Sequence, residues 1–152
     1  MSRLKRGNKS PDFEAYDYTG KKQTMKSFLN QKNVLLVFNR GLIWPYCRRH
    51  MTQLRQQYRL FTQANIEIIA IGPDTVEAFK RFWEKEKLPF IGISDPTHKI
   101  ADLFGQEVKL LKLGRLPAEI LIDTSGRICY VHYGTSMSDI AQSEEIFAAL
   151  QK

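Results

Sequence analysis

Asn39-Arg40-Gly41-Leu42-Ile43-Trp44-Pro45-Tyr46-Cys47-Arg48-Arg49-His50 joins two segments of different periodicity. Before it runs Val34-Leu35-Leu36-Val37-Phe38, a continuous apolar stretch that reads as a buried strand over 34–39. After it, from Pro45 to about Thr62, Cys47, Met51, Leu54, Tyr58 and Phe61 recur at steps of four, three, four and three. That spacing places them on one face of an amphipathic helix. Pro45 suits the first helical position, where its missing N–H would have no partner in any case. Cys47 then falls in the first turn, where free amides and the positive end of the helix dipole favour a thiolate. Arg40, Arg48 and Arg49 push the same way. Spacing alone leaves two readings of Cys47 open: a reactive thiol, or a small buried hydrophobe in register with Met51 and Leu54.

The alternation of strand and helix continues outward from this junction. Ile66-Glu67-Ile68-Ile69-Ala70-Ile71 reads as a second buried strand, closed by Gly72-Pro73. Asp74 or Thr75 is placed to cap a helix with Val76, Phe79, Phe82 and Trp83 on its inner face. Pro89-Phe90-Ile91-Gly92-Ile93 is a third short strand, and Asp95-Pro96-Thr97 opens a short helix ending at Gly105. Ile120-Leu121-Ile122 and Ile128-Cys129-Tyr130-Val131-His132-Tyr133 flank Asp123-Thr124-Ser125-Gly126, the pattern of an antiparallel hairpin. Residues 143–150 form a closing helix. Upstream, Pro11 to Tyr16 and Gln23-Thr24-Met25 make a small hairpin around Gly20, with Ser27 as cap of a single turn through Leu29. The expected fold is an α/β sandwich with a central mixed sheet flanked by helices and an N-terminal hairpin.

The chain has 152 residues with 43% hydrophobic content, enough for one domain with its own core. Residues 1–10 are expected to be a mobile basic tail and 11–152 a single domain. The net charge of +7 owes more than half of its excess to Arg3, Lys5, Arg6 and Lys9 in that tail. No helix of the body carries a basic stripe interleaved with aromatics, so nucleic acid is not an expected partner. Apolar runs are too short to span a bilayer, and no apolar stretch follows the basic N-terminus as in a secretory signal. Two cysteines make no disulfide framework, and no Cys/His cluster has metal-ligand spacing. A cytoplasmic protein without metal or cofactor is expected.

Taken together, Pro11-Asp12-Phe13, Gly20-Lys21, Ser27-Phe28-Leu29, Ile71-Gly72-Pro73-Asp74, Leu88-Pro89-Phe90, Ser94-Asp95-Pro96, Leu116-Pro117-Ala118-Glu119-Ile120-Leu121-Ile122-Asp123 and Gly126-Arg127-Ile128 resemble a peroxiredoxin of the alkyl hydroperoxide reductase and thiol-specific antioxidant (AhpC/TSA) family. The resemblance runs from Pro11 to Leu150 and implies a thioredoxin-like fold. The branch it resembles most carries Arg-Gly-x-Trp-Cys-Pro-x-Cys after the first central strand. Arg40-Gly41 and Pro45-Tyr46-Cys47-Arg48 match that pattern, and Trp44 stands at the first cysteine. Against the pattern Pro-x-x-x-Thr-x-x-Cys, Cys47 matches the peroxide-attacking cysteine, Arg40 replaces the proline and Trp44 replaces the threonine. Pro117 matches the cis-proline of thioredoxins and is expected to be cis, with its ring against the Cys47 loop.

What the resemblance implies is a thiol peroxidase. A Cys47 thiolate attacks a hydroperoxide, giving a sulfenic acid and water or an alcohol. Arg40, Arg48 and Arg115 are the candidates to hold the peroxide, and Trp44 shapes or blocks the pocket. Cys129 lies mid-strand at the sheet edge in this fold, too far for a bond with Cys47 without unfolding, so it reads as structural. Sulfenic acid resolution then falls to an external thiol, from a thioredoxin-like protein or a small molecule; a homodimer is left open. His50, three residues beyond Cys47, reads first as a surface or satisfied histidine and second as an acid–base helper. His98 and His132 carry no signal. Two alternatives stand beside the peroxidase: a thioredoxin-type thiol–disulfide oxidoreductase, and a redox-inert partner-binding module, because the CxxC is reduced to WxxC.

Overall fold

A five-stranded sheet organises the computed structural model, which describes residues 3–106, 108–109, 114–136 and 138–151, with the backbone alone for 108–109 and 114–115. In chain order the elements are β1 (Glu14–Tyr16), β2 (Lys22–Thr24), a 3-10 turn (Lys26–Phe28), β3 (Asn33–Phe38), α1 (Pro45–Gln63), β4 (Ile66–Gly72) and α2 (Val76–Glu86). Then follow β5 (Ile91–Ser94), α3 (Lys99–Leu103), β6 (Val108–Lys109), β7 (Gly114–Arg115), β8 (Ala118–Ile122), β9 (Ile128–Tyr133) and α4 (Ser143–Leu150). The main sheet has the order β5-β4-β3-β8-β9. β3, β4 and β5 run parallel, whereas β8 and β9 run antiparallel to their neighbours, so the sheet is mixed.

The central strands are buried on both faces, which is why 34–38 and 66–71 read as unbroken apolar runs. One face carries Leu35, Val37, Ile68, Ala70 and Leu121 against α1, α2 and α4. The other carries Leu36, Phe38, Ile69, Ile71 and Ile120 against Phe13, Met25, Ile100 and Phe104. On the first face Trp83 stacks on Phe79 at 5.0 Å and donates its Nε1–H to the Phe90 carbonyl at 2.8 Å. A side chain at Gly92 would put its Cβ 2.8 Å from Trp83 Cε2. Gly92→Ala is therefore expected to destabilise the protein by about 1–3 kcal/mol through overpacking, read as a lowered urea midpoint at unchanged slope.

Several local expectations are corrected. Ser27 lies inside its turn rather than capping it; Thr24 Oγ1 accepts the Ser27 amide at 3.2 Å. Val76 is 47% exposed, because Thr75 is the residue before it that caps α2, accepting the Ala78 amide at 3.1 Å and turning Val76 outward. Residues expected as a mobile tail pack along β9. Gly7 N donates to Ile128 O at 2.8 Å, Ile128 N donates to Asn8 O at 2.9 Å, and Arg6 donates to the Cys129 carbonyl at 3.2 Å. This segment covers the exposed edge strand, a row of backbone donors and acceptors that otherwise invites pairing with another chain.

Candidate active site

Three chain segments meet around Cys47. The end of β3 delivers Asn39, Arg40 and Gly41. Gly41 has φ +150°, and a Cβ there would lie 3.2 Å from Trp44 Cδ1, so the tight bend requires glycine. Asp74, just after β4, fixes the far side of the bend by accepting the Leu42 amide at 2.9 Å. Trp44 is the N-cap residue of α1 and Pro45 follows at the first helical position, as the spacing predicts. Trp44 supplies no side-chain cap. Its ring instead carries the Arg40 guanidinium, whose central carbon sits 3.8 Å from the ring centroid.

This stacking holds a buried arginine (4% exposed) beside the sulfur. The amides of Arg40 and Gly41 are directed at Cys47, and the Arg40 charge adds to them. All three favour a thiolate. Cys47 is nevertheless only 2% exposed, and burial, with a smaller push from Asp74, keeps its pKa above the ordinary thiol value in the resting state. The expectation of a lowered pKa is thus corrected: the stabilising groups are in place, and desolvation outweighs them.

The other sequence candidates separate. Arg48 is exposed on α1 and is not among the charges acting on Cys47. Arg115 has its backbone in β7, and its side chain lies outside the described residues. The Leu116–Pro117 peptide is trans, correcting the expected cis bond. Trans is the ordinary form of an X–Pro bond, and both flanking carbonyls are engaged: Leu116 O accepts Gln106 Nε2 at 2.7 Å and Pro117 O accepts Gly134 N at 2.8 Å. Gln106, buried at 5%, also donates to Asn39 O at 3.2 Å and so ties the end of β3 to the start of β8. Cys129 sits in β9 at the sheet edge, half-buried, its Sγ 3.5 Å from Leu121 O. Burial, helped by Asp123, pushes its thiol up to about 11. Both cysteines are free.

Two groups near the junction carry more weight than the sequence suggests. His50 is 6% exposed rather than on the surface. Its Nδ1 lies 3.9 Å from Oε1 of Glu119, which is 1% exposed in the middle of the sheet. Neither Glu119 oxygen makes a well-formed hydrogen bond, although the Ala141 amide is directed at the carboxyl. Burial raises the Glu119 pKa to about 8, with Asp139 and Glu145 adding to it and the Ala141 amide opposing; burial lowers His50 to about 4. Both groups are therefore neutral near pH 7.

Linkage gives these shifts a sign. Glu119 binds its proton more tightly folded than unfolded, so its contribution is complete at low pH and is lost as pH rises from about 4.5 through about 8. His50 does the reverse, losing stability as pH falls from 6.5 through about 4. Above pH 6.5 only the Glu119 slope remains. Stability is expected to fall between pH 6.5 and 8 by up to about 1.4 kcal/mol per pH unit, and Glu119→Gln to remove that fall. Urea midpoints at pH 6.5 and 8 for both proteins check it.

Residues 6–131 match the family model described as AhpC/TSA family. The chain belongs to the AhpC/TSA family. It is 30% identical over 136 residues to Peroxiredoxin Bcp of Escherichia coli strain K12, covering 86% of each chain. Against Peroxiredoxin Bcp of Bacillus subtilis strain 168 it is 29% identical over 129 residues, with 80% of each covered. Among solved structures, Peroxidoxin BcpB from Mycobacterium tuberculosis superposes with a TM-score of 0.85 at 24% identity, covering 98% of this chain and 97% of the other. The AhpC/TSA frame and the thioredoxin-like fold with a mixed sheet are as expected from the sequence, and the relatives are named as peroxiredoxins.

Proposed function

We propose that this chain is a thiol-dependent peroxidase that reduces hydroperoxides through Cys47. The observation that carries the reading is the convergence of the Arg40 and Gly41 amides and the Arg40 charge on a cysteine in the first turn of α1, within an AhpC/TSA frame. The groups that would stabilise a thiolate also suit the charge that develops on a leaving peroxide oxygen. When the thiolate attacks, an S–O bond forms and the O–O bond breaks. Cys47 becomes a sulfenic acid, and the other oxygen takes up the proton the thiol lost and leaves as water or an alcohol.

The cycle we propose uses one cysteine. Cys129 lies in the edge strand with a raised pKa, unsuited to attack on a sulfenic acid, and Arg6 lies over its carbonyl. An external thiol, from a thioredoxin-like protein or a small molecule, would resolve the intermediate. Among the described residues no helix is long and apolar enough to cross a membrane. The cytoplasm, where thiols are kept reduced, suits two free cysteines and is the compartment we assign. Peroxide consumption is measured with dithiothreitol and, separately, with a thioredoxin system. Cys129→Ser is expected to keep full turnover. Loss of turnover in that variant, with the fold intact by circular dichroism, contradicts the one-cysteine cycle.

The peroxiredoxin relatives do not favour the alternative of a redox-inert binding module on the same scaffold, but the burial of Cys47 makes it the one to test against. It predicts a Cys47 that resists both alkylation and peroxide at any pH where the protein is folded. The peroxidase reading predicts both reactions.

A further inference from the structure

Asn39 and Arg40 share one peptide group, and its two ends face different partners. The Arg40 N–H is directed at Cys47, while the Asn39 C=O accepts the Gln106 side-chain amide at 3.2 Å. A trans peptide is planar, with its C=O and N–H pointing in opposite directions. Holding one end therefore aims the other.

The Asn39 carbonyl is open to Gln106 for a reason that lies in the sequence. β3 and β4 pair in parallel up to Phe38 and Ile71, and the Asn39 amide extends the ladder by donating to Ile71 O at 2.7 Å. In a parallel ladder the next bond would come to the Asn39 carbonyl from the amide of residue 73. That residue is Pro73, which has no N–H. Asn39 is buried, and a buried carbonyl without a donor is costly. Gln106 supplies the donor.

α3 holds Gln106 where it is needed. At the start of the helix Asp95 accepts the Ile100 and Ala101 amides at 3.2 and 3.0 Å. At its end Gly105 N donates to Asp102 O at 3.3 Å and Gln106 N to Ala101 O at 3.0 Å, the paired bonds of a Schellman turn. Phe104 packs on Phe38, the residue before Asn39, with ring centroids 5.6 Å apart. The Gln106 side chain then meets two carbonyls, Asn39 O and Leu116 O. Only its nitrogen can face both, which leaves Oε1 buried without a hydrogen-bond partner.

We propose that Gln106 is a positioning residue for the reactive thiol: its side-chain amide holds the Asn39–Arg40 peptide with the Arg40 N–H on the sulfur and strengthens that N–H as a donor to the thiolate. Hydrogen bonds joined through one peptide group polarise each other. Gln106 acts through the peptide; the charges that act on Cys47 itself are Arg40 and, opposing it across the bend, Asp74. Its part in turnover rests on the peroxidase reading, whereas its effect on the thiolate does not.

The test is the pH profile of iodoacetamide alkylation at Cys47, read by peptide mass spectrometry in the wild type, Gln106→Met and Gly92→Ala. Methionine keeps the length of the side chain and removes its donors. Gly92→Ala disturbs β5 against Trp83 and controls for lost stability alone. The inflection is expected to rise by about one pH unit in Gln106→Met, a ~10-fold slower reaction at pH 7, the scale of one weakened hydrogen bond to a charged group. The limiting rate at high pH should stay unchanged, and Gly92→Ala should keep the wild-type inflection. Superimposed profiles, a rate raised at every pH as in a merely loosened site, or an equal shift in Gly92→Ala overturn the proposal. No peroxide is used, so failure here is distinct from failure of the peroxidase reading, which shows as a wild type that consumes no peroxide. Should Gln106→Met fail to fold, or the wild-type thiol resist alkylation, NMR of the wild type decides. The Asn39 carbonyl 13C and Gln106 side-chain 15N resonances are expected to step at one common pH, and to lose that step in Cys47→Ser. Resonances that stay flat, or a step that persists in Cys47→Ser, overturn the proposal equally.

Discussion

Cys47→Ser is expected to abolish thiol-dependent consumption of hydrogen peroxide and alkyl hydroperoxides, leaving only the uncatalysed rate. The reason is chemical. A serine hydroxyl cannot pass through a sulfenic acid, and Cys129 cannot take over from the edge strand with its thiol pushed up to about 11. The substitution puts a hydroxyl at a site that is 2% exposed, where the Arg40 and Gly41 amides directed at that position can engage it, so the fold should survive, which thermal melts of both proteins would confirm. Equal turnover in the variant would mean that the AhpC/TSA frame holds a different reactive group, or none.

The second large effect is expected from Arg40→Met. The guanidinium is buried, stacked on Trp44 at 3.8 Å, and is the cation acting on Cys47. Methionine keeps a long apolar side chain against the indole, but removes the charge and its donors. The loss should fall on kcat/KM for peroxide by about 10²-fold, the scale seen when one group that stabilises a developing oxyanion is removed. The alkylation inflection of Cys47 should rise in parallel, because the same charge favours the thiolate. A variant with slower peroxidase but an unmoved Cys47 inflection would place Arg40 on the peroxide alone. Arg48→Met, changing an exposed residue, should leave both nearly unchanged.

The fold was legible wherever burial left a periodic trace. Pro45 and the four-three-four-three spacing placed the start of α1 at the residue where it begins, and Ser143 to Leu150 matched α4 at both ends. The β8–β9 hairpin is visible from its turn, but β8 begins at Ala118, two residues before the apolar run, because Glu119 interrupts the pattern that marks a buried strand. The site was less legible, and for related reasons. His50 follows Arg48 and Arg49 and so looks solvated, yet it falls on the inner flank of α1 beside Cys47, Met51 and Leu54. Gln106 has no local signal, since its partners Asn39 and Leu116 are distant in sequence. The basic residues of 3–9 read as a solvated tail because their charge was visible and the open edge of β9 was not. The Cys47 pKa depends on desolvation, which spacing cannot report; charge and helix position could be read, and burial could not.

The central claim is that Cys47 is the atom oxidised. Its most direct test is to expose the reduced protein to one equivalent of hydrogen peroxide in the presence of dimedone, then map the adduct by peptide mass spectrometry. The account predicts a dimedone adduct on Cys47, none on Cys129, and peroxide consumed in step with adduct formed. Peroxide consumed while Cys47 remains an unmodified thiol, or a Cys47 that stays reduced with peroxide untouched, would contradict it.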